Sequence, residues 1–150
     1  MLVLHGVSLY ETAMQRKTLQ FEPTENEIQR AVFKHLDLRG APDVFAFHPK
    51  NGNRDMRGRG AGVYTGLGVR PGIPDVIIWS EPNLYGLELK RLSRKNKKPT
   101  ETELQQAACR AQMERCGAIT TVTYGLDEAL CWLEVHGLLK GVSATTKVAE

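Results

Sequence analysis

Residues 68–91 read GVRPGIPDVIIWSEPNLYGLELKR. Two β-prone apolar runs, DVIIW (75–79) and LYGLELKRL (84–92), flank the turn sequence Glu81-Pro82-Asn83. The pair predicts a hairpin that is apolar on both faces, as expected of central strands. Asp75 opens its first strand, and Glu88 and Lys90 stand two apart on its second. Period-two alternation puts Glu88 and Lys90 on one face. A turn centred on Pro82-Asn83 sets Asp75 opposite Lys90 and Ile77 opposite Glu88, so the three polar heads converge. Buried among Val76, Ile77, Ile78, Leu87 and Leu89, such charges must be paired or hold a metal.

Two readings of this cluster follow. In the plain structural one, Lys90 and Asp75 form a cross-strand ion pair and Glu88 faces water. In the functional one, the two carboxylates hold a hard divalent cation, because Mg²⁺ takes one or two carboxylates together with waters and substrate phosphate. Lys90 then orients or deprotonates the attacking water, or neutralises charge developing on the phosphate.

Working outward, Thr24 and Glu27 have capping-box spacing ahead of Ile28, Ala31, Val32 and Leu36, which predicts a helix ending near Arg39-Gly40. DVFAF (43–47) predicts a short strand. Residues 51–74 contain seven of the chain's fourteen glycines and keep no apolar period. A long irregular segment of this kind inside a domain is usually functional or mobile. Beyond the hairpin, Thr100 or Thr102 caps a helix that runs to Cys116 and stops at Gly117. AITTVTY (118–124) predicts a strand, and a last helix runs from about Leu126 to His136. The order is α-β-β-β-α-β-α, an α/β sandwich with a mixed sheet. Residues 1–20 are expected to form an N-terminal arm, 21–138 the domain and 139–150 a C-terminal tail.

At 150 residues the chain suits one domain, burying roughly 70% of its unfolded surface. Hydrophobic residues at 41% and charged residues at 25% are ordinary globular values. No run approaches the roughly 20 apolar residues of a membrane span, and the first residues lack the pattern of a secretory signal. Cys109, Cys116 and Cys131 are odd in number and match no zinc spacing, so reduced thiols and a cytoplasmic location are expected. His5, His35, His48 and His136 show no ligand spacing, and Trp79 and Trp132 are expected in the core. The glycine-rich segment matches no phosphate-loop pattern in context.

The net charge of +3 is unevenly spread. KRLSRKNKK (90–98) has six basic residues in nine and no acid, and Arg57, Arg59 and Arg70 lie among the glycines. Clustered cations of this kind suit a polyanion, so Arg94, Lys95, Lys97 and Lys98 and the loop arginines are candidate contacts to DNA phosphates. A solvated surface is the plain alternative.

GVRPGIPDV…GLELKR resembles the Pro-Asp…Glu-x-Lys signature of the PD-(D/E)XK nuclease superfamily. The wider likeness is to its virus-type replication-repair nuclease branch, the VRR-NUC domain. It extends to Glu27-Ile28-Gln29, HPKNGNR (48–54) and a helix with Gln106 eleven residues before Gly117, together about residues 24–135. The resemblance implies a restriction-endonuclease-like αβββαβ core with a central mixed sheet flanked by helices. It also implies that Asp75, Glu88 and the Leu89 carbonyl are metal ligands, with Mg²⁺ or Mn²⁺ as cofactor, and that Lys90 is catalytic. Glu27 matches the first-helix acid near the metal, although it is equally a capping residue. Gln106 matches the glutamine that supports the site, with Gln105 one register away. Asn51 and Arg54 match a Pro-Asn-Gly-x-Arg element, in which Lys50 intervenes here.

The expected function is a metal-dependent DNA nuclease that hydrolyses phosphodiester bonds, selective for Holliday junctions or other branched DNA in replication, repair or recombination. Stand-alone domains of this family imply a C2 homodimer and a bacterial or phage-infected host cell. A sequence-specific restriction-type endonuclease and a catalytically inert DNA-binding module on the same fold are the alternatives.

Overall fold

The computed structural model describes residues 22–49 and 66–141. The elements are α1 (Glu25–Arg39), β1 (Phe45–Phe47), β2 (Val76–Ser80), β3 (Asn83–Lys90), α2 (Glu101–Arg115), β4 (Ile119–Tyr124) and α3 (Leu126–Val135), with a 3₁₀ turn at Leu92–Arg94. This is the α/β order read from the sequence. The strands form one sheet in the order β1-β2-β3-β4. β1, β2 and β3 are antiparallel neighbours, while β4 lies parallel to β3 after the crossover through α2.

Both long helices begin where the sequence provides a capping box. Thr24 and Glu27 exchange side-chain and backbone bonds at α1, and Thr100 and Glu103 do so at α2. Ile28, Val32 and Leu36 recur every four residues and form the buried stripe of α1. Gly40 ends that helix for a steric reason, since a Cβ there would lie 2.4 Å from the Leu36 carbonyl oxygen.

The sheet has two unlike faces. On one, Val76, Ile78, Tyr85, Leu87 and Leu89 are buried under α1 and α3, against Ile28, Val32, Ala129 and Leu133. Leu138 and Leu139 close this core after α3, and Leu139 bridges Gly40. The first residue of the expected tail is thus buried. The other face carries Asp75, Ile77, Gly86, Glu88 and Lys90 from the hairpin, and α2 lies over it. Gly86 permits that approach, because a Cβ would meet Pro74 Cγ at 2.9 Å and Met113 Cε at 3.3 Å.

Two expectations need correction. The hairpin turn is Glu81-Pro82, with Ser80 paired to Asn83, so Ile77 lies opposite Gly86 instead of Glu88. Continuing that register sets Asp75 level with Glu88, two residues short of Lys90. Trp79 is 54% exposed instead of core, beside Phe45 on the outer part of the face that α2 leaves open. Among the described residues no helix is long and apolar enough to cross a membrane.

Candidate active site

The hairpin brings Asp75, Glu88 and Lys90 together under α2. Asp75 lies just before β2, and its Oδ2 accepts a 2.9 Å bond from the Leu89 backbone N–H, which ties the start of one strand to the end of the other. Glu88 is 1% exposed, and its Oε1 lies 2.8 Å from Lys90 Nζ. The plain alternative, with Lys90 paired to Asp75 and Glu88 facing water, does not describe this site. Beyond the ion pair, neither Glu88 oxygen accepts a well-angled hydrogen bond.

The electrostatics follow from burial. Desolvation, and then the neighbouring Asp75 charge, raise Glu88 from 4.5 to about 7, and Lys90 offsets only part of this. Desolvation also raises Asp75, against the lowering effects of the Leu89 N–H, Lys90 and His48. At Lys90 burial disfavours the charge, but bonding to Glu88 and the charges of Glu88, Glu25 and Asp75 outweigh it and raise the ammonium above its ordinary value. The apo site thus contains two carboxylates that resist ionising and one firmly charged lysine.

α2 supplies the remaining contacts. Gln106 Oε1 accepts a 3.0 Å bond from Lys90 Nζ. Gln105, its neighbour, turns to the opposite flank of α2, where with Arg70 and Trp79 it lines a separate groove of about 820 Å³. Glu27 lies in the capping box, its Oε2 2.8 Å from both the backbone nitrogen and the hydroxyl of Thr24. Its carboxyl is held below the usual range by those Thr24 bonds first, then by Arg30 and Arg91. Glu25, which the sequence reading passed over, is the first-helix acid whose charge reaches Lys90. His48 was also set aside. Its Nδ1 lies 2.6 Å from the Asp75 carbonyl oxygen, an acceptor, so Nδ1 carries the proton and Nε2 is left unprotonated in the neutral ring.

The basic run 90–98 is largely neutralised within the chain. Arg91 pairs with Glu22 at 3.1 Å and Arg94 with Glu103 at 2.5 Å, while Lys95 meets Glu128. Lys97 and Lys98 have no ion pair among the described residues and remain exposed. Asn51, Arg54, Arg57 and Arg59 lie outside the described residues.

The donor set fits a hard divalent cation. A half-buried and a fully buried carboxylate level with each other, the buried one with oxygens lacking hydrogen bonds, are what such an ion would neutralise. No group of three or more His, Cys, Asp or Glu side chains gathers among the described residues, so backbone, water and substrate oxygens would complete the shell.

A carboxylate pair on a hairpin, a lysine two residues beyond the glutamate and a glutamine from the crossover helix define a restriction-endonuclease-like α/β domain. Among solved structures the chain is similar to a VRR_NUC domain protein, with a TM-score of 0.54 and 20% identity over 75% of this chain and 87% of that one. The fold is that of the VRR-NUC domain. No protein-family model matches the sequence, and no curated protein does.

Proposed function

We propose that the chain is a Mg²⁺- or Mn²⁺-dependent deoxyribonuclease that hydrolyses phosphodiester bonds in branched DNA, Holliday junctions among them, and acts as a C2 homodimer. The observation that carries the reading is the pairing of half-buried Asp75 with buried Glu88, whose repulsion Lys90 only partly relieves. An arrangement that costs stability in the apo protein is expected where a cation is to be bound. Asp75, Glu88 and the Leu89 carbonyl would hold the ion. Leu89 lies beyond the last β2–β3 pair, Val76–Leu87, so the ladder does not claim its backbone there. When bound, the cation supplies Lewis acidity toward a phosphoryl oxygen and activates water at neutral pH.

The chain's own residues do the rest. Lys90, fixed between Glu88 and Gln106, places a permanent positive charge where charge develops on the phosphate. Lys97 and Lys98 add sequence-independent attraction to the backbone. A dimer would present two such sites to the two strands of a symmetric junction. The test is a nicking assay on supercoiled plasmid and on a four-way junction, with Mg²⁺ and Mn²⁺ titrated from chelator. Metal-dependent cutting that Asp75→Asn and Lys90→Ala abolish supports the reading. DNA binding with no cutting at any metal concentration would instead identify an inert binding module.

A further inference from the structure

α2 presents more than Gln106 to the site. Arg110 lies one helical turn further on the same face, about 6 Å along the axis. With Lys90, Arg94, Lys97, Glu103 and Gln106 it lines a small cavity of about 150 Å³, which shares Lys90 with the carboxylate site. The other cations nearby have partners: Lys90 has Glu88, and Arg94 has Glu103. Arg110 is half-buried and has no hydrogen bond or ion pair among the described residues, although its charge acts on Glu88. A guanidinium held partly out of water without an acceptor is a fork awaiting one, and its planar donors match a phosphate bidentately.

We propose that Arg110 and Lys97 form a phosphate seat in this cavity, which grips a backbone phosphodiester and thereby positions the strand against Asp75, Glu88 and Lys90. The inference rests on the nucleic-acid reading above and adds a positioning residue to it. Arg110 reaches the site from α2, so the strand would lie along the α2 edge of the face, away from the core under α1 and α3. Arg94 stays paired with Glu103 and serves as the wall.

The test measures binding of a labelled junction in chelator across a salt series for wild type, Arg110→Gln and Lys34→Gln. Lys34 is an exposed lysine of α1, on the other side of the sheet, and controls for net charge. Arg110→Gln should reduce the slope of log K against log salt by about 0.9, one phosphate's worth, at an unchanged melting temperature. Lys34→Gln should leave the slope within error. A slope retained in Arg110→Gln, or lost equally in both variants, overturns the seat while leaving the nuclease reading in place. If wild type binds no DNA, that reading fails, and inorganic phosphate then decides the seat. Phosphate-dependent shifts of the Arg110 Nε–H and Gln106 amide signals in NMR would support a phosphate site on its own, and their absence would overturn it.

Discussion

Lys90 Nζ lies 3.0 Å from Gln106 Oε1 and 2.8 Å from Glu88 Oε1, so one ammonium joins strand β3 to helix α2 at the site. The amide accepts one ammonium proton, and the carboxylate holds the charge as an ion pair. Gln106→Leu removes an acceptor from a largely buried cation, at a cost of about 1–2 kcal/mol in stability. Cleavage should fall by about tenfold or more, while metal-induced stabilisation and DNA affinity are retained. Gln105→Leu, one position away on the other flank, should leave cleavage unchanged. Single-turnover rates on junction DNA check the pair, and equal losses in both variants would refute the role given to Gln106.

Asp75 separates the metal reading from a purely structural one. Asp75→Asn keeps an oxygen for the Leu89 N–H and removes one of two repelling charges. In chelator its melting temperature should equal or exceed that of wild type. Mg²⁺ or Mn²⁺ should raise the wild-type melting point with concentration, following preferential binding to the folded state, and should leave the variant nearly unchanged. Lys90→Ala should retain the metal response and lose cutting. Clear destabilisation of Asp75→Asn in chelator, with no metal response in wild type, would mean a structural cluster.

Glu27 has two possible duties, and thermal shifts divide them. The geometry gives it the capping box, so Glu27→Ala should lower the melting temperature in chelator. If capping is its whole role, the metal-induced rise in melting temperature survives intact. A rise that disappears in Glu27→Ala, and persists in Thr24→Ala, would make Glu27 a ligand.

Much of this fold is legible in the sequence because its signals are local. The capping boxes, the Gly40 and Gly117 stops and the β-rich runs each place an element within a residue or two of its observed ends. What failed depends on longer range. The hairpin register turned on whether Glu81-Pro82 or Pro82-Asn83 makes the corner, and that choice alone moves Asp75 by two positions. Gln106 and Gln105 differ only in how α2 is rotated over the sheet. Trp79 sits in a core-like strand, but α2 does not extend over it, so it stays exposed. The basic run looked like a free polycation because its acids, Glu22, Glu103 and Glu128, come from elsewhere in the chain.

That pairing sorts the cations of residues 90–98. Contact between Arg94 or Lys95 and a phosphate must first break an existing ion pair, whereas Lys97 and Lys98 are free to make one. Neutralising Lys97 and Lys98 together should reduce the salt slope of DNA binding by about 1.8, one increment per lysine. Neutralising Arg94 and Lys95 should reduce it by less than half of that. Equal reductions from the two double variants, in fluorescence anisotropy across a salt series, would show that the intramolecular pairs dissolve on binding.

Glu88 gives the site a pH signature in the absence of metal. Its folded pKa is raised from 4.5 to about 7, so the folded protein binds this proton more tightly than the unfolded chain does. The stabilisation from that protonation is therefore fully present below the unfolded pKa, fades as pH rises and is lost above about 7. The full loss is about 3 kcal/mol, and Asp75, raised by the same desolvation, changes in the same direction. Glu88→Gln cannot ionise, so the variant lacks the Glu88 contribution. Its stability relative to wild type should rise by about 3 kcal/mol between pH 4 and pH 8, whatever offset the lost ion pair introduces at every pH. The lowered carboxyls at Glu22, Glu27, Glu103 and Glu128 titrate alike in both proteins and cancel in the difference. Urea titrations in chelator at four pH values measure it. Parallel pH profiles would mean that Glu88 is ionised at no cost in the folded chain, and the argument for a cation in the site would lose its physical basis. Saturating Mg²⁺ should flatten the wild-type profile between pH 4.5 and about 7, because the ion would neutralise the carboxylate that the apo protein prefers to protonate.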